Sequence, residues 1–124
     1  MLLAPAHTER VIGLAIEVHR NLGPGLLESV YEAALCFELA EAAIPFERQV
    51  PIPAVYRGQH IDPGFRADLV IERSTLVEIK SVACLSPLHE AQVLTHLRMA
   101  RLRVGLLLNF NVLRLKDGLR RLVL

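Results

Sequence analysis

The sequence predicts a mixed α/β (α+β) fold, one mixed sheet flanked by helices, on three observations. Apolar residues recur at helical spacing through the first 43 positions. Two β-rich runs, Phe65 to Ile71 and Thr75 to Val82, are joined by the short polar link Glu72-Arg73-Ser74. Val104 to Asn109 is an almost continuous apolar run, as a central strand covered on both faces must be.

Taken in order, the first helix is expected from Thr8, which can cap it, to Leu22, with Val11, Ala15, Val18 and Leu22 on one stripe. Gly23-Pro24-Gly25 stops it, because Pro24 cannot continue the hydrogen-bond ladder. A second helix is expected from Leu26 to Ala43, with Leu27, Tyr31, Ala34, Leu35, Leu39 and Ala42 on its apolar face. Phe46 to Val50 leads to Ala54-Val55-Tyr56, and Pro51 and Pro53 mark this strand as an edge. Arg57-Gly58 reads as a turn. Leu88 to Ala100 is a helix opened by Ser86-Pro87, and Asn111 to Lys116 with Leu119 to Leu124 reads as a closing hairpin around Asp117-Gly118.

At 124 residues the chain is expected to form one domain, 1–124, and 52% apolar residues exclude a disordered chain. Cys36 and Cys84 form no CxxC pair; two reduced thiols in a cytoplasmic protein are expected, with one disulfide as the alternative. Met1-Leu2-Leu3-Ala4-Pro5 is too short for a signal sequence, and no stretch reaches the ~18 apolar residues of a membrane helix. Net charge is +1, but it is unevenly spread. Residues 1–47 carry a balance of −5 and residues 98–124 a balance of +6. Phosphates, or solvent alone, can meet such a basic quarter.

The chemistry concentrates in Leu76-Val77-Glu78-Ile79-Lys80. Side chains alternate along a strand, so Glu78 and Lys80 share a face about 6–7 Å apart, either as the exposed face of an edge strand or as an acid and a base placed for chemistry. If Glu72-Arg73-Ser74 is a three-residue hairpin loop, Ile71 pairs with Thr75 and Asp68 comes opposite Glu78. Two facing carboxylates repel, and a hard divalent cation such as Mg²⁺ or Mn²⁺ relieves the repulsion. Glu28 is a third acid, on the stripe of Tyr31, Leu35 and Leu39. It reads either as a first-turn acid favoured by the helix dipole or as an acid aimed at the metal. Gln92 and His96 lie one turn apart on the third helix, either as an ordinary polar face or placed to meet a substrate phosphate. His89 and His96 are two turns apart, about 10.5 Å along the axis, too far to share one zinc ion.

Gly25-Leu26-Leu27-Glu28-Ser29-Val30-Tyr31 is a G-x-x-E-x-x-Y string. Arg66-Ala67-Asp68, Glu78-Ile79-Lys80, His89-Glu90-Ala91-Gln92 and Gly105-Leu106-Leu107-Leu108-Asn109-Phe110 follow it in order. Over about Val11 to Leu124 this pattern resembles the GxxExxY protein family, a branch of the PD-(D/E)xK nuclease superfamily. The resemblance implies a restriction-endonuclease-like core and a metal-dependent nuclease acting on nucleic acid, with DNA favoured. It matches Glu28 to the helix acid, Asp68 and Glu78 to the metal-binding acids, Lys80 to the lysine that positions or activates water, and Gln92 to the helix glutamine of the RecB-like branch. Two departures stand out. Ala67 replaces the proline before the aspartate, and Gln92-x-x-x-His96 replaces the Q-x-x-x-Y of RecB-like members.

The expected site is therefore Asp68, Glu78 and Glu28 around Mg²⁺ or Mn²⁺, with Lys80 and Gln92 in the reaction and His96, Arg101 and Arg103 holding nucleic acid. A different class stays open, a non-catalytic nuclease-fold module that binds nucleic acid or a protein. A homodimer also stays open, since a chain this short covers few nucleotides.

Overall fold

A computed structural model of the chain describes residues 5–124. Residues 1–4, most of the segment judged too short for a signal sequence, lie outside the described residues. Helix α1 (Pro5–Leu22) and helix α2 (Glu28–Glu41) lead into strands β1 (Phe46–Tyr56), β2 (Gln59–Ile71) and β3 (Thr75–Lys80). Helix α3 (Pro87–Ala100), strand β4 (Val104–Asn109), a short 3₁₀ turn (Leu115–Gly118) and strand β5 (Leu119–Val123) complete it. The five strands form one sheet in chain order; β3 and β4 run parallel and the other neighbours antiparallel. The parallel pair needs a crossover, and α3 supplies it. Among the described residues no helix is long and apolar enough to cross a membrane.

The sheet is covered on both faces. Val11, Ala15 and Val18 of α1 and Tyr31, Leu35 and Leu39 of α2 pack with Leu69, Ile71, Val77, Ile79, Leu106 and Leu108. On the other face Val93 and Leu97 of α3 pack with Ala67, Val70, Leu76 and Leu107. This double cover explains why β4 is buried throughout.

Several expected boundaries move. Helix α1 begins at Pro5, so Thr8 lies inside it and is buried, while Leu22 is exposed. Leu27 stands outside α2 with extended backbone (ψ 151°) and is 73% exposed, so it belongs to no apolar face. Strand β2 begins at Gln59, not Phe65, because it pairs with β1 along its length, down to Tyr56↔Gln59. The closing hairpin is corrected. Residues 111–114 form no strand, Leu115 drops into the core, and β5 returns antiparallel along β4. Gly118 makes this return feasible, because a Cβ there would strike the carbonyl of Asn109.

Gly118→Ala is expected to cost about 2 kcal/mol by overpacking against rigid backbone. Gly13→Ala, on the exposed side of α1 with nothing within 4 Å, is expected to gain about 0.5 to 1 kcal/mol. Urea unfolding of both variants measures the contrast.

Candidate functional site

Strands β2 and β3 pair only at Ile71↔Thr75, Val70↔Leu76 and Leu69↔Val77. This is the register the Glu72-Arg73-Ser74 link requires. Beyond Leu69 the two strands part, and the amide of Ile79 has no β2 carbonyl to meet. Asp68 takes that place: Ile79 N–H donates to its Oδ2 at 2.8 Å. The carboxylate is thus fixed in the fork between the strands.

Asp68 also marks a turn-over of β2. Residues two apart on a regular strand share a face. Ala67 and Leu69 do not: the first packs under α3, the second under α1 and α2. Gln49, between the pairs Arg48↔Leu69 and Val50↔Ala67, holds a positive φ of 52° at the same level. The expectation that Asp68 and Glu78 share one face is therefore corrected. Asp68 lies in the fork and lines a cleft of about 420 Å³ with Glu28, Ser29, Glu32, Gln49 and Ile79. Glu78 points toward α3, where its Oε1 meets His96 Nδ1 at 2.7 Å, and its side chain is 9% exposed. Strand alternation puts Lys80, half-buried and without an ion pair among the described residues, on the Glu78 side.

Glu28 reaches the end of β3 from the opposite side. Its Oε2 accepts from Ser81 N–H at 3.3 Å, and Ser81 Oγ–H donates to Leu26 O at 2.7 Å. Tyr31 sets the loop before it. Its hydroxyl donates to Gly23 O at 2.6 Å and accepts from Leu26 N–H at 3.1 Å, while its ring stacks on Phe110 at 4.6 Å. Asn109, preceding Phe110, holds Val82 by both backbone groups, each at 3.0 Å. The G-x-x-E-x-x-Y and Leu108-Asn109-Phe110 strings are thus two halves of one clamp around the end of β3.

Two cleft residues carried no expectation. Glu32, one turn after Glu28 and buried, accepts from Arg48 Nε and Gln49 Nε2, each at 2.6 Å. Gln49 Nε2 also lies 3.4 Å from Asp68 Oδ1. An acid directly after Tyr31 on the buried stripe was a readable signal for Glu32. Gln49 had none, because a positive φ at a non-glycine residue leaves no mark in sequence.

The other expected residues scatter. Gln92 is exposed on α3. His96 is held between Glu78 and Phe65, its ring 3.9 Å from the phenyl ring and nearly parallel to it, so it is not free to hold nucleic acid as expected. Arg101 and Arg103 flank the start of β4, which pairs with Thr75 at the far end of β3. Arg103 lies six residues before Asn109, the partner of Lys80, so at about 3.3 Å per residue it sits about 20 Å along the strand from Lys80, and neither arginine joins the acids.

The acids do not close into a protein cage: among the described residues no group of three or more His, Cys, Asp or Glu is placed to hold a metal. The donor chemistry nevertheless fits a hard cation that keeps its waters. Backbone or imidazole groups engage one oxygen each of Glu78 and Glu28, leaving the other as a monodentate ligand. Asp68 gives Oδ2 to Ile79 N–H, with only a long 3.4 Å contact from Gln49 at Oδ1. Burial pushes the Cys36 thiol up, away from the thiolate a soft metal would need.

Asp68 is pushed up to about 6, first by burial and then by the Glu78 and Glu32 charges, against the Ile79 N–H and Gln49. Between the ordinary value and about 6 the folded chain holds a proton the unfolded chain has lost. Stability therefore falls as pH rises through that window. In chelator the loss is expected to be about 1 kcal/mol after solvent screening, and Asp68→Asn, which can still accept from Ile79, should remove it. Urea unfolding of both proteins between pH 4 and 7 reads the difference.

Comparison with curated proteins and with solved structures finds no match. The family model of the PD-(D/E)XK nuclease superfamily, whose members are mostly metal-dependent nucleases, matches residues 5–122. With nearly its whole length matched, and with a five-stranded mixed sheet and three helices around a forked strand pair, the chain belongs to the PD-(D/E)XK nuclease superfamily.

Proposed function

We propose that this chain is a metal-dependent phosphodiester hydrolase acting on nucleic acid, with DNA the first substrate to test, and that within its superfamily it is of the GxxExxY kind. It works as one domain over residues 1–124. The two unpaired cysteines, Cys36 buried and Cys84 exposed, fit a reducing cytoplasmic setting.

The carrying observation is the fork itself. Asp68 is locked onto Ile79 N–H at 2.8 Å, while burial first, and then the charges of Glu78 and Glu32, raise its proton affinity. A half-buried cleft with this much negative charge is costly when ionised and empty, and a divalent cation compensates it. Asp68 and Glu78 would hold Mg²⁺ or Mn²⁺ through one oxygen each, with Glu28 acting from the end of β3. When bound, such an ion acidifies water and neutralises charge developing on a phosphate.

The remaining roles fall to side chains of this chain. Lys80 lies two residues beyond Glu78 on the same side of β3. Its ammonium orients the attacking water and hydrogen-bonds phosphate oxygens as they gain charge. Glu32 holds Arg48 and Gln49 at 2.6 Å each, so Gln49 reaches Asp68 only at 3.4 Å, a contact a cation can displace. Gln92, exposed one turn before His96, is available to the substrate.

One observation favours the second reading, a nuclease-fold module that binds without cutting. No group of three or more metal-ligating residues is closed among the described residues. Cleavage separates the two. Purified protein is incubated with labelled single- and double-stranded DNA and RNA in Mg²⁺ or Mn²⁺. Cleavage that Lys80→Ala reduces by roughly 10²- to 10³-fold is expected. No cleavage of any substrate, or cleavage undiminished in Lys80→Ala, overturns the nuclease reading. Salt-sensitive binding without cleavage establishes the module instead.

A further inference from the structure

We propose that His96 is a positioning residue that fixes Glu78 and limits it to one free oxygen; this rests on the nuclease reading. Three contacts fix the imidazole. Its Nδ1 lies 2.7 Å from Glu78 Oε1, its ring lies on Phe65 with centroids 3.9 Å apart at 6°, and its helix is anchored by buried Val93 and Leu97 on either side. Against a carboxylate acceptor Nδ1 carries the proton. Glu78 then cannot turn among its rotamers, because Oε1 is tethered to a ring that is itself stacked.

The consequence is a choice of ion. Glu78 keeps only Oε2 for a cation, so it binds through one oxygen. A six-coordinate ion that retains waters, Mg²⁺ or Mn²⁺, accepts that; Ca²⁺, which favours more oxygens and two-oxygen carboxylates, gains less. Partners that orient a metal ligand typically affect affinity 10- to 100-fold. Histidine at this position thus has a task distinct from holding substrate. It sets which oxygen of Glu78 is presented and favours the smaller ion.

The test uses the full chain without nucleic acid. Mn²⁺ and Ca²⁺ binding are measured by calorimetry for the wild type, His96→Ala and His96→Asn, and long-range ¹H–¹⁵N NMR locates the imidazole proton. The proton is expected on Nδ1. His96→Ala should weaken Mn²⁺ binding about 10- to 100-fold and narrow the preference over Ca²⁺, and His96→Asn, whose amide nitrogen falls near the Nδ1 position, should restore binding to within about threefold. Should His96→Ala not fold by thermal unfolding, Phe65→Leu, which removes the stack alone, is expected to weaken Mn²⁺ binding in the same direction. An Nδ1 without its proton, Mn²⁺ affinity unchanged in the folded variant, or an asparagine variant no better than the alanine one overturns the proposal. A wild type that binds Mn²⁺ and cuts nucleic acid while these results fail leaves the nuclease reading intact. A wild type that neither binds Mn²⁺ nor cuts overturns both.

Discussion

Where β2 leaves β3, the amide of Ile79 must find an acceptor, and the side chain of Asp68 provides it at 2.8 Å. A buried N–H without a partner costs about 1 to 3 kcal/mol, so this substitution of a carboxylate for a carbonyl is strongly held. It needs the strands to part after Leu69 and Val77, and it needs β2 to turn over between Ala67 and Leu69. One local requirement of the backbone therefore sets the position of an acid. The acid's high proton affinity follows from the same place, half-buried and flanked by Glu78 and Glu32. The resulting site is the gap where the two strands part, opening on the cleft under α2.

Each layer of the fold contributes one acid environment to that gap. Helix α2 brings Glu28 and Glu32, stabilised by Ser81 N–H on one side and by Arg48 and Gln49 on the other. Helix α3 brings His96 to Glu78. Tyr31 and Phe110 stack behind the site, and Asn109 grips Val82, so the end of β3 that carries Lys80 is held by hydrogen bonds and an aromatic pair. A cluster of carboxylates would otherwise destabilise the fold. Here Glu32 is held by a donor on each oxygen, while Glu28 and Glu78 are each tied through one oxygen, which limits repulsion while leaving the other to a cation.

Much of this was legible in the residues. The helices, the buried β4 and the edge position of β1 follow from periodicity and from Pro51 and Pro53. The length of the Glu72-Arg73-Ser74 link set the Ile71↔Thr75 register. Strict alternation then misled. It put Asp68 and Glu78 on one face, because neither the turn-over at Asp68 nor the positive φ of Gln49 is written in residue type. The basic C-terminal quarter does not gather at the acids. Charge counted along a sequence does not say which end of a strand it reaches, and Arg101 and Arg103 reach the end away from Lys80. The closing hairpin failed because Leu115 gains more by burial in the core than by pairing in a strand.

Anomalous diffraction from crystals grown in Mn²⁺ tests the central claim most directly, that the fork between β2 and β3 is a cation site. The expected result is a peak at the gap, within bonding distance of one oxygen each from Asp68 and Glu78. A saturating Mn²⁺ concentration that leaves the fork empty, or places the ion away from both carboxylates, would contradict it.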